Sequence, residues 1–444
     1  MSKETEYIKI TPGMFINPPY VKCPKCGNNT FGVLMICPHH YCRRCANCYY
    51  PHPSRGEDET TYPLPELNKK IIYIDQFSIS NMMKFLNPET KGHKRAGTDV
   101  FWGDLFQRLD TLCKLQLIIC PDSDFHKHES LLAPYYKQLE RMYELFSHGV
   151  SFYDYETVKL FQIMGQLKIW LGDARKIDLD VRKIMHGEIN SWQDRFIISV
   201  SGYDSQALIE ELRSNRKKAY EYMEGVFKRW QIEKDKDFEF WYNEENKSEA
   251  GVIVELYTRD LQNITKAYFG VAPLDIGILL PGFATRLVHG IKDRFKTKGV
   301  TGEDNLNKRL GEFLRSELFE STPYIKISSA LYAAMAQRAA HHGRKNPPSR
   351  GFFTDVKIIS TLLPYCDAIF VDNECGSLLS EKEVIGKTEH KTKIFSLSNK
   401  NEFLRYLDEI KTTASREHIK AVEEVYGVDW AKPYWEIFTH EIKE

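Results

Sequence analysis

Two apolar runs, IIYI at residues 71–74 and AIFV at 368–371, are each closed by an aspartate, Asp75 and Asp372. Uninterrupted β-forming residues of this kind read as strands buried on both faces, the pattern of a parallel sheet. Residues 71–145 read strand, helix, strand, helix. The second strand is KLQLIIC over 114–120, and ESLLAPYYKQLERMYELF over 129–146 is the helix after it, with Pro134 near its start. Residues 150–320 are dominated by amphipathic helical segments such as 155–171 and 205–230. Helices are expected over 323–345 and about 355–364, then a strand over 393–397 and a helix over 400–413. The expected fold class is α/β, with a central, mainly parallel sheet built from 71–145 and 323–412 and interrupted by a large helical insertion over 146–322. That insertion is the candidate cap or dimerising region. A Pro- and charge-rich linker over 56–70 precedes the sheet, a small module occupies 1–55, and a helical extension follows over 413–444.

The small module is defined by its cysteines. Of ten in the chain, six crowd together as Cys23, Cys26, Cys37, Cys42, Cys45 and Cys48, and all six are zinc-ligand candidates. Two CxxC knuckles joined by a short hairpin aim four thiolates at one tetrahedral ion. Cys23 and Cys26 form the first pair, and the second is either Cys42 with Cys45 or Cys45 with Cys48. His39 and His52 supply further donors, but the last gaps are too short for a regular cross-brace, so one zinc-ribbon-like site is expected and a RING-type element is disfavoured. Lys22, Lys25, Arg43 and Arg44 beside the knuckles suit docking to nucleic acid or protein. Cys113, Cys120, Cys366 and Cys375 read as buried or idle thiols.

The chain's 61 basic residues balance its 61 acidic ones, so no global field marks a nucleic-acid or membrane binder, although a local basic surface is compatible with this balance. No run of 18 apolar residues occurs and the N-terminus MSKETEYIKI is polar, so a soluble, cytoplasmic protein with no membrane partner is expected. No GxxxxGK[ST] phosphate loop occurs.

Asp75 and Asp372 share their setting at the C-terminal end of a core strand, the sheet edge where ligands bind in open parallel sheets. Asp355 opens a helix and Glu129 falls in the first turn of the helix expected after the second strand. Each also has a purely structural reading as a helix cap or turn former. The segments IIYIDQFSIS, ICPDSDFHKHESLL, FFTDVKIISTLLPYCDAIFVDNE and KIFSLSNKNEFLRYL resemble, in that order, the PIN-domain nucleases. The resemblance implies a PIN-like three-layer fold and an acidic cluster of Asp75, Glu129, Asp355 and Asp372 that holds one or two Mg²⁺ or Mn²⁺ ions for phosphodiester hydrolysis. Glu140, Asp122 and Asp124 are rivals for the place of Glu129, Glu374 is a further candidate ligand, and Asp367 reads as a loop residue. Hard cations of this type prefer carboxylate and water oxygens.

The basic stretch HHGRKNPPSR, with His341, His342, Arg344, Lys345 and Arg350, precedes Asp355; Arg344, Lys345 and Arg350 are the candidates to receive substrate phosphates. Ser78 and Asn81 are candidates to orient water. The expected function is a metal-dependent nuclease, an RNA endonuclease before a DNA one, in a toxin-like or anti-phage defence setting, acting as a homo-oligomer or under a regulatory partner. The alternative is a non-catalytic scaffold that binds nucleic acid or protein through its zinc module.

Overall fold

The computed structural model describes residues 22–426, apart from 24, 29–30, 38–39, 46, 49–60, 64, 88–98, 134, 194–205, 272–280 and 342, together with Ala431. His39, His52, Pro134 and His342, much of the linker, and the extension beyond 426 (Ala431 aside) lie outside the described residues.

Strands β1 (Phe31–Cys37), β2 (His40–Cys45) and β3 (Thr61–Pro63) form a small antiparallel sheet in the order β1-β2-β3. The central sheet follows. It consists of β4 (Lys70–Ile74), β5 (Ile118–Ile119), β8 (Ala368–Phe370) and β9 (Lys393–Phe395) in the order β5-β4-β8-β9, all parallel. A parallel bridge from Asp122 to Ser151, at the start of β6 (Ser151–Phe152), extends the β5 edge; β6 itself pairs antiparallel with β7 (Met185–His186). Read across, the chain therefore places its third, second, first, fourth and fifth segments side by side, with the direction of winding reversing between β4 and β8. Ile72, Tyr73 and Ile74 pair with Ala368, Ile369 and Phe370, the strand pairing of longest sequence separation among the described residues.

The two faces of these strands feed two cores, as the period of two requires. Ile72, Ile74, Ala368 and Phe370 pack on α1 (Gln76–Leu86), α2 (Phe101–Lys114), α4 (Tyr136–Ser147) and α15 (Lys400–Thr412), through Met82, Leu105, Phe146 and Phe403 among others. Ile71, Tyr73, Ile369 and Val371 join Ala333, Ile359 and Leu378 of α11 (Pro323–Ala340), α12 (Phe352–Leu362) and α13 (Asn373–Leu379). A helix layer thus covers each face.

Between β6 and α11 the chain is mainly helical: α5 (Tyr155–Trp170), α6 (Gln206–Ile232), α7 (Phe238–Tyr268), α8 (Phe283–Thr297), α9 (Glu303–Leu314) and the single turn α10 (Glu317–Glu320). This region does not keep its apolar residues to itself. Phe227, Trp230 and Trp241 enter the core on one sheet face, whereas Ile163, Leu167, Ile253, Phe295 and Phe313 form a second cluster with Tyr324 and Ile325. After α13 come α14 (Lys382–Thr388), β9, α15 and α16 (Arg416–Tyr426). No described helix is long and apolar enough to cross a membrane.

Three local expectations are corrected. The strand expected over 114–120 shrinks to Ile118–Ile119, because α2 continues to Lys114 and Gln116 takes a left-handed turn at φ 58°. The helix expected over 129–146 is two helices, α3 (Asp124–Leu131) and α4, because the Pro134 of the sequence lacks an N–H and disfavours helix just before it. Consequently Glu129 lies in the last turn of α3, not the first turn of a helix.

Helix α13 depends on a close approach. A β-carbon on Gly376 would stand 2.8 Å from the Ser396 Cβ, so only glycine lets α13 lie this near the segment after β9. Gly376→Ala is expected to destabilise the chain by about 1–3 kcal/mol through overpacking, seen as a lower urea midpoint.

Candidate metal centres

In the small module the sulfurs of Cys23, Cys26, Cys45 and Cys48 all lie within 4.8 Å of one another. Cys23 Sγ is 3.7 Å from Cys48 Sγ, and Cys26 Sγ is 3.6 Å from Cys45 Sγ. Sulfurs about 2.3 Å from a tetrahedral centre stand ~3.8 Å apart, whereas a disulfide would bring them to about 2 Å. The spacing is that of four thiolates around one ion. Each knuckle folds so that a backbone N–H supports a sulfur: Lys25 N donates to Cys23 Sγ and Cys48 N to Cys45 Sγ, both at 3.4 Å. A backbone hydrogen bond at Asn28 is the main influence holding the Cys26 thiol below its ordinary value, as suits a ligand that binds as thiolate. The group can hold a metal such as zinc. Among the described residues it is Cys45 with Cys48 that joins Cys23 and Cys26. Cys37 and Cys42 sit on strands, Cys42 opposite Met35 and Thr61, and their side chains lie outside the described residues.

The carboxylates meet at the other end of the central sheet's story, the C-terminal edge of β4 and β8. Asp75 caps α1, accepting from Gln76 N at 2.6 Å, and Asp372 caps α13, accepting from Cys375 N at 2.6 Å. The structural reading of both aspartates is therefore correct, and it does not compete with a site. Each cap engages one oxygen, and no hydrogen bond among the described residues takes the second. Asp355, in the first turn of α12, points to the same place: Asp355, Asp372 and Cys375 each put a donor atom within 4.8 Å of the others. A cavity of about 10 Å³ lies at this point, room for one water-sized occupant, lined by Tyr73, Asp75, Asp355, Asp372 and Cys375 together with the apolar Ile358, Ile359 and Val371. The buried Tyr73 hydroxyl has no hydrogen-bond partner there.

Asp75, although it lines the cavity, and Glu129 both stand outside the close group of Asp355, Asp372 and Cys375, but within reach of its field. Burial and then the charges of Glu129 and Asp372 push the Asp75 carboxyl well above the usual range. Burial, followed by Asp75, Asp372 and Glu129, does the same to Asp355. Burial raises Glu129 too, against the opposing Arg216 guanidinium 3.8 Å away. The rival candidates belong to a different neighbourhood. Asp122 is pushed up to about 6 by burial, and the charges acting on it are those of Lys127, Asp124 and Glu140. Asp367 lies at the opposite edge of the sheet, where its Oδ2 accepts from Ile71 N at 2.8 Å.

The basic stretch is divided by its partners. Arg344 is ion-paired with Glu374, which removes both from the list of free groups, and its Nε donates to the Asn346 carbonyl at 2.9 Å. Lys345 is exposed, and Arg350 is exposed with its guanidinium 5.3 Å from the Tyr220 ring centroid. His341 contacts the Lys236 carbonyl at 2.9 Å. Ser78 is buried with an unpartnered hydroxyl, and Asn81 accepts from Lys84 Nζ at 3.3 Å. Sequence reasoning missed Tyr73, Cys375 and Arg216. Tyr73 read only as a strand residue, Cys375 as an idle thiol, and Arg216 as one cation on an amphipathic helix.

Two carboxylates and a thiol, from Asp355, Asp372 and Cys375, thus stand close enough to share a metal ion beside a water-sized cavity. Two outcomes check the two centres. Metal analysis of the purified chain should give one zinc per chain, lost in Cys45→Ser. Asp355→Asn should raise the melting temperature by about 1 °C in chelator, because it removes about 1 kcal/mol of like-charge repulsion and desolvation; a lower melting temperature would contradict the repulsion. Compared with protein-family models, curated proteins and solved structures, the chain matches none of them.

Proposed function

We propose that this protein is a divalent-cation-dependent nuclease with a PIN-like fold, hydrolysing phosphodiester bonds in RNA rather than DNA. The observation that carries the proposal is the convergence of Asp75, Asp355 and Asp372, from segments far apart in the chain, on one cavity at the edge of β4 and β8, with Glu129 in their field. That edge is where the winding of the sheet reverses, and crevices at such reversals are the usual ligand sites of open parallel sheets. The strand order, extended by the Asp122–Ser151 bridge, supports the fold assignment. The choice of RNA rests on the resemblance of the four segments to PIN nucleases. A zinc module and a large helical region beside such a centre suit a regulated effector, toxin-like or defensive.

Asp75, Glu129, Asp355 and Asp372 would hold Mg²⁺ or Mn²⁺. When bound, such a cation offsets the carboxylate repulsion and acts as a Lewis acid toward phosphate oxygens. The chain's own contribution is preorganisation. The Gln76 and Cys375 N–H groups fix the orientation of Asp75 and Asp372 before any ligand arrives, so no side-chain ordering remains to be done there. The Tyr73 hydroxyl offers the cavity a neutral donor, since burial and the surrounding carboxylates raise it well above its ordinary value and keep its proton on. Lys345 and Arg350, exposed on the loop before α12, would meet phosphates of an approaching strand.

The test is cleavage of labelled single-stranded RNA and DNA by the purified chain with Mn²⁺. Asp75→Asn and Asp372→Asn are each expected to lower the rate by at least about 100-fold with zinc content unchanged. Cleavage at the parental rate by both variants would falsify the proposal.

A further inference from the structure

Arg216 lies on α6, in the helical region between β6 and α11, yet its guanidinium stands at the acidic cluster. Two observations place it there independently. Its Nη2 is 3.8 Å from Glu129 Oε1, and a β-carbon on Gly351 would lie 3.8 Å from Arg216 Nη2 and 3.3 Å from Asp355 Oδ2. The guanidinium thus flanks the same glycine as the Asp355 carboxylate.

How it is held is informative. Other arginines of the chain are hydrogen-bonded to carboxylates: Arg108 to Asp408 at 3.0 Å, Arg229 to Glu244 at 2.7 Å and Arg309 to Glu312 at 2.8 Å. Arg216 approaches Glu129 only to 3.8 Å, beyond hydrogen-bond reach, and its side chain is 40% exposed. Among the described residues no hydrogen bond fixes its fork. Four carboxylates gather nearby and this is the cation that opposes two of them, Glu129 and Asp355. One turn along the same helix, Tyr220 lies under the Arg350 guanidinium, 5.3 Å from its ring centroid, so α6 also meets the loop before α12 there.

We infer that Arg216, which stands beside Glu129, is the phosphate clamp of this centre and turns to a phosphate of the nucleic-acid strand when divalent cations occupy the carboxylates. A planar guanidinium with free donors can take a phosphate in bidentate fashion, which an ammonium cannot. A divalent ion on the cluster would weaken the attraction that holds Arg216 to Glu129, because the same negative charge cannot attract both fully. The helical region would then complete the centre and make cleavage depend on its docking against the sheet.

This inference rests on the proposed nuclease activity, and the experiment separates the two. Arg216→Ala and Arg216→Lys are compared with the parent chain, zinc-loaded and full-length, by calorimetric titration with Mn²⁺ and by steady-state cleavage of single-stranded RNA. Arg216→Ala is expected to bind Mn²⁺ as tightly as the parent or more tightly, while kcat/KM falls about 100-fold with KM raised. Arg216→Lys should recover only part of the loss. Parental kcat/KM in Arg216→Ala overturns the clamp and leaves the nuclease reading standing. Weakened Mn²⁺ binding in parallel with lost cleavage also overturns it, since Arg216 would then only hold Glu129 in place. A parent chain that neither binds Mn²⁺ at the carboxylates nor cleaves removes the nuclease reading, and this inference with it.

Discussion

The pairing of Ile72, Tyr73 and Ile74 with Ala368, Ile369 and Phe370 is the contact on which the rest of the structure depends. It joins segments from opposite ends of the chain, and closing so long a loop is entropically unfavourable. What offsets that loss is burial on both faces: Ile72, Ala368 and Phe370 are fully enclosed, and each strand face meets its own helix layer. Because the strands are parallel and in register, their C-terminal ends stop together. The residues that follow, Asp75 and Asp372, are thereby delivered to one place, and Asp75 N donates to the Phe370 carbonyl at 3.0 Å to seal the junction.

That placement creates an electrostatic conflict that the fold does not resolve alone. Carboxylates taken out of water and set beside one another disfavour their charged forms, and the chain provides one loosely held guanidinium against them. A fold that served stability only would have relieved this with apolar residues. The strain is concentrated where the sheet reverses its winding, around a cavity of about 10 Å³ with an unpartnered tyrosine hydroxyl. Conflicts of this sort gather at sites that await a ligand. The cysteine module works by the opposite logic: a segment with only a small sheet holds four sulfurs at tetrahedral spacing, a group that can hold a metal such as zinc and be stabilised by it.

The helical region bears directly on the sheet edge that carries the carboxylates. Its aromatic residues Phe227, Trp230 and Trp241 are built into the core on one face, so its helices are held firmly against the strands. Helix α6 can therefore carry Arg216 to Glu129 with defined geometry. The insertion expected as a cap or dimerising part thus also brings one of its side chains to the candidate site.

The sequence by itself determined the strands that end in aspartate, the parallel character of the sheet, the two CxxC knuckles and the candidacy of Asp75, Asp355 and Asp372. Each follows from local properties: an apolar run, a period, a spacing, a cap. Local pattern was insufficient where neighbours outvote it. KLQLIIC has strand composition throughout, yet its first residue ends a helix packed on the sheet and only Ile118 and Ile119 pair. Whether Cys42 or Cys48 completes the sulfur group turns on hairpin register, which the spacing leaves open. Only the tertiary structure decided that Glu129 and not Asp122 shares a field with Asp75, that Arg344 is occupied by Glu374, and that Tyr73, Cys375 and Arg216 stand at the carboxylates. The reason is physical. Periodicity fixes which way a side chain faces on its own element, whereas convergence is fixed by how elements pack, and packing is settled by contacts between residues far apart in the chain.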